Sequence, residues 1–219
     1  MSVVNLRIPR VSTDITYEQI LGMRVKTYNE MYGTLGGYDC RICRNKGDIA
    51  KIKNGQEVHS ECGCMKIRET LRLIKDSGLE KLMNRCTFDS YICEYQWQKS
   101  LKDAAVRFAE KSEGSLFMGG QTGCGKTHLC TAAAGAMISR GKAVRYFVWR
   151  EDSTALKALA NTPEYGEKIS VFKTADVLYI DDLFKQNAVN DADLKLAFEL
   201  IDYRLRNEMT TMISSEKTI

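Results

Sequence analysis

Eight consecutive residues constrain this 219-residue chain more than any others: Gly120-Gln121-Thr122-Gly123-Cys124-Gly125-Lys126-Thr127 fits the spacing GxxxxGK[ST]. The run follows a short apolar segment, Ser115–Met118, and opens an alanine-rich stretch, Thr127–Arg140, that reads as a helix stopped by Gly141. A strand, a glycine-rich turn and a helix in that order aim successive backbone N–H groups into the turn, with the positive end of the helix behind them. Such a turn cradles phosphate. With glycine near its usual share of roughly 7% of residues, a fortuitous match in a chain of this length is on the order of 1%.

Each position in the turn then acquires an expected role. Lys126 reaches the β- and γ-phosphates of a nucleotide, and the Thr127 hydroxyl ligates Mg²⁺. Gly120, Gln121, Thr122, Gly123, Cys124, Gly125, Lys126, Thr127 and the adjoining His128 form the expected nucleotide-contacting set. Further along, Val177-Leu178-Tyr179-Ile180 is an apolar run ending in Asp181-Asp182. Strand-end aspartates are common alone, but beside a phosphate loop they fall where a neighbouring parallel strand presents its C-terminal end. Asp181 is expected to hold Mg²⁺ through water, and Asp182 to act as general base toward the attacking water.

The surrounding periodicities give an α/β fold. Gln96–Glu110 carries Trp97, Leu101, Ala104, Ala105 and Phe108 on one helical stripe, and Ala143–Trp149 is a β-branched and aromatic strand. Asp191–Arg206 reads as a helix with Leu194, Ala197, Phe198, Ile201 and Leu205 inward and Arg204 and Arg206 on a solvated face, followed by a short strand, Thr211–Ser214. Strands alternating with helices predict a parallel sheet covered on both faces, with ligands at the carboxyl ends of its strands. Asn45-Lys46-Gly47-Asp48 also fits the guanine-reading NKxD pattern, but it lies upstream of the phosphate loop instead of on a later strand and is read as coincidence.

Upstream, Thr16–Tyr32 has the spacing of an amphipathic helix, and Asp48–Lys53 and Gln56–Ser60 flank Asn54-Gly55, a tight-turn signal for a hairpin. Cys40-x2-Cys43 and Cys62-x-Cys64 bracket that hairpin, a spacing that lets four thiolates converge on Zn²⁺. The one-residue spacer in the second pair leaves His59 as an alternative ligand. So small a module has little apolar material of its own, and metal coordination would supply much of its stability. Met65–Met83 reads as a basic helix interrupted near Ser77-Gly78. Cys86, Cys93 and Cys130 are read as small buried hydrophobes, and Phe88 and Tyr91 either as neighbours of a bound base or as core.

Gly120–Thr127, Asp181-Asp182-Leu183, and the helix Asp191–Arg206 leading into Thr211-Met212-Ile213-Ser214-Ser215 together resemble the AAA+ ATPases of the helicase-loader group, the DnaC/DnaI and IstB-like proteins. The resemblance covers most of residues 86–219. It implies ATP as ligand, a P-loop AAA+ core, a hexameric replicative helicase and single-stranded DNA as partners, and transposition in place of helicase loading for the IstB branch; a nucleotide-gated adaptor that binds ATP as a switch without turning it over is the non-enzymatic alternative. Self-association on DNA is compatible with it. In that group the last strand ends in a polar sensor of the γ-phosphate, a role this reading gives to Ser215. The group also continues into an arginine finger and a helical lid. Since this chain stops at Ile219, a truncated core without the lid, with weak turnover, is expected.

Composition bounds the rest. The formal net charge is +4, and residues 40–85 hold 11 basic against 6 acidic groups, so nucleic acid is permitted without being demanded. No apolar run approaches the roughly 20 residues that cross a bilayer, and the N-terminus lacks a signal-peptide core. A cytoplasmic protein without membrane contact is therefore expected, with residues 1–85 as a zinc-binding, partner-binding module and 86–219 as the ATPase core.

Overall fold

A computed structural model describes residues 15–76, 80–185 and 188–217. The interruption expected near Ser77-Gly78 lies outside the described residues, as does the extreme N-terminus. The chain divides into two compact units, residues 1–65 and 66–219. Residues 66–85, grouped with the N-terminal module in the sequence reading, belong to the second unit. The boundary falls inside a helix, where neither glycine nor proline marks it.

In the first unit, α1 (Tyr17–Glu30) opens on a capping box between Thr16 and Gln19. It lies against the antiparallel hairpin of β1 (Asp48–Lys53) and β2 (Gln56–Glu61). Positive φ angles of 53° at Asn54 and 71° at Gly55 make the two-residue turn, as that dipeptide predicts. The α1 side chains hold the hairpin directly. Tyr28 donates to Asp48 Oδ1 at 2.6 Å, and Asn29 exchanges two hydrogen bonds with the Ala50 backbone at 2.9 and 3.0 Å. At the same, C-terminal end of α1 two cations meet orphan carbonyls: Lys46 donates to Met31 O at 2.7 Å, and Arg44 to Glu30 O. Both sit where the helix dipole favours positive charge.

The second unit takes in most of α2 (Cys64–Asp76), followed by α3 (Glu80–Arg85) and α4 (Gln96–Lys111). Then come β3 (Ser115–Gly119), α5 (Lys126–Ser139), β4 (Val144–Val148), α6 (Trp149–Ala158) and α7 (Glu164–Lys173). β5 (Val177–Leu183), α8 (Asp191–Arg206) and β6 (Thr210–Ser215) complete it. The four strands of this unit are parallel in the order β3-β6-β5-β4. Because side chains alternate along a strand, β5 sends Leu178 and Ile180 into a core shared with Leu156 of α6, Ile169 of α7 and Leu196 and Leu200 of α8. Helix α5 covers the opposite face, which makes the three layers that the alternating pattern predicts.

The inward face of α8 departs from the sequence reading. Its buried residues are Asp193, Leu196, Ala197, Leu200 and Arg204, whereas Leu194, Phe198 and Leu205 are exposed. Arg204, expected at the surface with Arg206, is fully buried. Its guanidinium donates to the carbonyls of Phe172, Lys173 and Ala175 at 2.8–3.0 Å and of Thr210 at 2.6 Å, and to Thr211 Oγ1 at 2.9 Å. It thereby satisfies the carbonyl end of α7, a group of acceptors that would otherwise be orphaned in the interior. Arg206 is at the surface, 3.0 Å from Asp202.

Candidate functional site: a phosphate loop facing paired aspartates

β3 ends at Gly119 and the chain enters the loop with φ of 145° at Gly120, 85° at Gly123 and 91° at Gly125, the last as the cap of α5. Gly125 is required twice over. Its φ is in the left-handed region, and a Cβ there would stand 2.5 Å from Tyr91 Cε2. Tyr91, from the segment entering the core, thus lies on the loop, with its hydroxyl 3.4 Å from Cys124 O. His128 also faces that segment: its Nε2 is 2.9 Å from Thr87 O, so it buttresses the start of α5.

Lys126 is buried, and its ammonium curls back to the carbonyls of Gly120 at 2.7 Å and Gln121 at 2.9 Å. The ammonium also lies 3.8 Å from Cys124 Sγ, and a buried cation whose partners are these neutral groups fits an anion. The Thr127 hydroxyl donates to Asp181 Oδ1 at 3.1 Å, so the two residues expected at Mg²⁺ meet across the sheet. Asp181 is 6% exposed and accepts from three more hydroxyls: Tyr146 at 2.6 Å, Tyr179 at 2.9 Å and Ser214 at 2.5 Å. Burial and the adjacent Asp181 charge push the Tyr146 hydroxyl well above its ordinary range, which keeps it a donor. A carboxylate held by neutral donors, beside a hydroxyl and a phosphate-type loop, is a hard-oxygen set of the kind that suits Mg²⁺.

Between Ile180 and Leu183 the β5–β6 register slips, two β5 residues standing against one of β6. The bulge leaves Asp182 at φ 56°, its amide donating to Ser214 Oγ at 2.9 Å instead of to a ladder carbonyl. Phe184 is also left-handed, at φ 61°, and packs edge-on against Trp149 with ring centroids 5.1 Å apart. That turn folds Lys185 back to Asp182 Oδ2 at 2.9 Å and toward Glu216 Oε1 at 3.5 Å. The Asp182 carboxylate raises the Lys185 pKa, and a hydrogen bond from Thr122 lowers that of Glu216.

Ser215 is the exception among the expected site residues. β6 runs one residue further than the sequence reading gave it, so Ser215 pairs with Gly119 inside the ladder. Its side chain is buried and donates to Leu183 O at 2.8 Å, which keeps that hydroxyl away from the loop. The polar group beyond the strand end is Glu216, whose carboxylate accepts from Thr122 of the loop at 2.7 Å. Glu216, Lys185, Ser214 and the two tyrosines were not singled out from sequence. Only a strand-end offset could have found Glu216, and no local signal marks the others.

In the first unit Cys40, Cys43, Cys62 and Cys64 are all buried, with their sulfurs within 4.8 Å of one another. The separations of 3.8 Å for Cys40–Cys62 and 3.5 Å for Cys43–Cys64 match the edge of about 3.8 Å that a tetrahedron of 2.3 Å Zn–S bonds requires. Burial alone would raise the Cys43 thiol, but hydrogen bonds from the Gly47 N–H and the neighbouring thiols outweigh it and bring it down to about 6. His59 is elsewhere, its ring nitrogens on Asp48 at 2.7 Å and Glu57 at 3.3 Å. Of the other cysteines, Cys130 is buried as expected, Cys86 is half-buried, and Cys93 is exposed.

Among the described residues, no helix is long and apolar enough to cross a membrane. Comparison with known proteins matches residues 58–219 to the family model of the IstB-like ATP binding protein. The phage-like element PBSX protein XkdC of Bacillus subtilis is 33% identical over 200 residues, which cover 83% of this chain and 73% of that protein. The replicative helicase loader DnaC of Escherichia coli K12 is 26% identical over 117 residues, 51% of this chain and 48% of the loader, so the chain matches only about half the loader's length. A crystal structure of the DnaC helicase loader superposes with a TM-score of 0.57 at 24% identity, over 64% of this chain and 81% of that one, and shares its fold. By the extent of the family match and the likeness to the PBSX protein, the chain belongs to the IstB-like ATP-binding family, with an AAA+-type α/β core.

Proposed function

We propose that this protein is a Mg²⁺-dependent ATPase of DNA replication that loads a hexameric replicative helicase onto single-stranded DNA. The 3.1 Å meeting of Thr127 and Asp181, beside the buried Lys126 ammonium, carries the reading. In it the loop amides and Lys126 hold the β- and γ-phosphates, and Thr127 and Asp181 hold Mg²⁺. The metal supplies charge neutralisation at the transferring phosphoryl group. Asp182 accepts the proton of the attacking water as the new bond to the γ-phosphorus forms and the bond to the bridging oxygen breaks, leaving ADP and phosphate. Cys40, Cys43, Cys62 and Cys64 hold one structural Zn²⁺, and the module they staple is the surface offered to the partner protein.

Lys126→Ala is expected to abolish nucleotide binding in an equilibrium titration of the full chain; unchanged affinity would refute the loop assignment. Membership of the IstB-like ATP-binding family leaves room for a second reading, the helper role in transposition that the resemblance to the IstB branch implies. Co-purification with a hexameric helicase separates the two, since the transposition reading expects none.

A further inference from the structure

Lys185 and Glu216 form a charged pair at the mouth of the phosphate loop that none of the expected roles uses. Glu216 leaves the end of β6 and accepts from Thr122, the third residue of the loop, at 2.7 Å. Lys185 lies 3.5 Å from Glu216 and 2.9 Å from Asp182. It is held there by a turn with two left-handed non-glycine residues, Asp182 and Phe184. Such conformations persist only where the surroundings impose them, and they cluster at functional sites. Here Ser214 holds one end of the turn and Trp149 the other. The turn brings a half-exposed ammonium to the general-base candidate and to a carboxylate that already touches the loop.

A carboxylate and a phosphate group compete for the same donors. Glu216 takes the Thr122 hydroxyl and shares Lys185, and it repels any further negative charge placed beside it. On the nucleotide-binding reading, ADP would end at the β-phosphate in the loop, and ATP would add a terminal phosphate toward Asp181 and Asp182.

Resting on the nucleotide-binding reading, we propose that Lys185 reads the terminal phosphate. With ADP it stays on Asp182 and Glu216; with ATP it transfers to the γ-phosphate, Glu216 is displaced, and Asp182 is released to accept a proton. Lys185 is thus a specificity-determining residue for ATP over ADP, supplied from within the chain, and Glu216 is the anion it exchanges.

The test is a pair of equilibrium titrations, with ADP and with a methylene-bridged ATP analogue, on the wild type, Lys185→Met, Glu216→Gln and Lys126→Ala. Loss of one charge-assisted hydrogen bond to the γ-phosphate predicts that Lys185→Met lowers the ATP:ADP affinity ratio by about 10- to 100-fold while leaving ADP affinity within about twofold. Glu216→Gln, which keeps shape and removes the competing charge, raises the ratio by about two- to tenfold. A Lys185→Met ratio within twofold of wild type, an equal loss of both nucleotides, or a Glu216→Gln ratio that falls, overturns the proposal. If Lys126→Ala retains wild-type affinity, the nucleotide-binding reading itself fails. If it abolishes binding while Lys185→Met leaves the ratio unchanged, only the role of Lys185 is lost.

Discussion

Arg204 offers the sharpest test of how the second unit is held together. It is wholly buried, with the Asp176 charge near enough to act on it, and its five oxygen acceptors are four backbone carbonyls and one threonine hydroxyl. Burial brings its pKa down to about 10, a sign that the charge is costly where it lies. Replacing Arg204 with Met removes that cost but strands several buried acceptors, each worth about 1–3 kcal/mol when unsatisfied. Setting one against the other gives a net loss of about 3–5 kcal/mol, comparable to breaking a buried ionic group. At about 2–4 °C per kcal/mol for a unit of this size, the midpoint should fall by about 6–20 °C. Thermal and urea melts of Arg204→Met can be set against Arg206→Met, a neighbouring surface position expected to stay within about 0.5 kcal/mol of wild type. Equal behaviour of the two variants would refute the argument that Arg204 ties α7 to β6.

Two further outcomes follow from the chemistry of individual groups. Burial raises the Asp152 carboxyl to about 6 against its hydrogen bond from the Val148 N–H, so the folded state binds that proton more tightly than the unfolded chain. This contribution to stability is full below about pH 4 and is lost as pH rises through 6. Asp152→Asn should therefore gain about 1–2 kcal/mol at pH 8 and nothing at pH 4, and a gain independent of pH in urea melts would contradict it. Purified protein should carry one equivalent of zinc by metal analysis, released by Cys43→Ser with loss of ordered structure in the first unit; zinc-free protein with that unit intact would eliminate the metal site.

Where local chemistry fixes geometry, the sequence was legible. Asn54-Gly55 announces its turn, the four cysteines their convergence, and Gly120–Thr127 its place between strand and helix. Where two faces of an element carry apolar residues, periodicity cannot choose between them. On α8 the stripe Leu194, Phe198, Leu205 looks like a core face, yet the helix is rotated so that Asp193 and Arg204 go inward, because Lys157 and the end of α7 are there to receive them. Helix α6 is hidden in the sequence for a related reason. β4 runs into α6 at Trp149 without a turn residue between them, so an aromatic strand signal overwrites the start of the helix. That Ser215 lies within the ladder, with Glu216 beyond it, was not legible because a strand end cannot be fixed to one residue from its composition.

The doubled aspartate gains its meaning from the slipped ladder at the end of β5. In an unbroken strand, neighbouring acids would point to opposite faces, and the second would be lost among the packing of the far layer. One surplus residue lets the first acid stay rooted among hydroxyls while the second is carried on a differently angled piece of backbone, against a mobile-stemmed lysine instead of a fixed hydroxyl. Rigidity and responsiveness thus sit one peptide bond apart, and an alteration that restored regular spacing would disable the site with every one of its side chains still present.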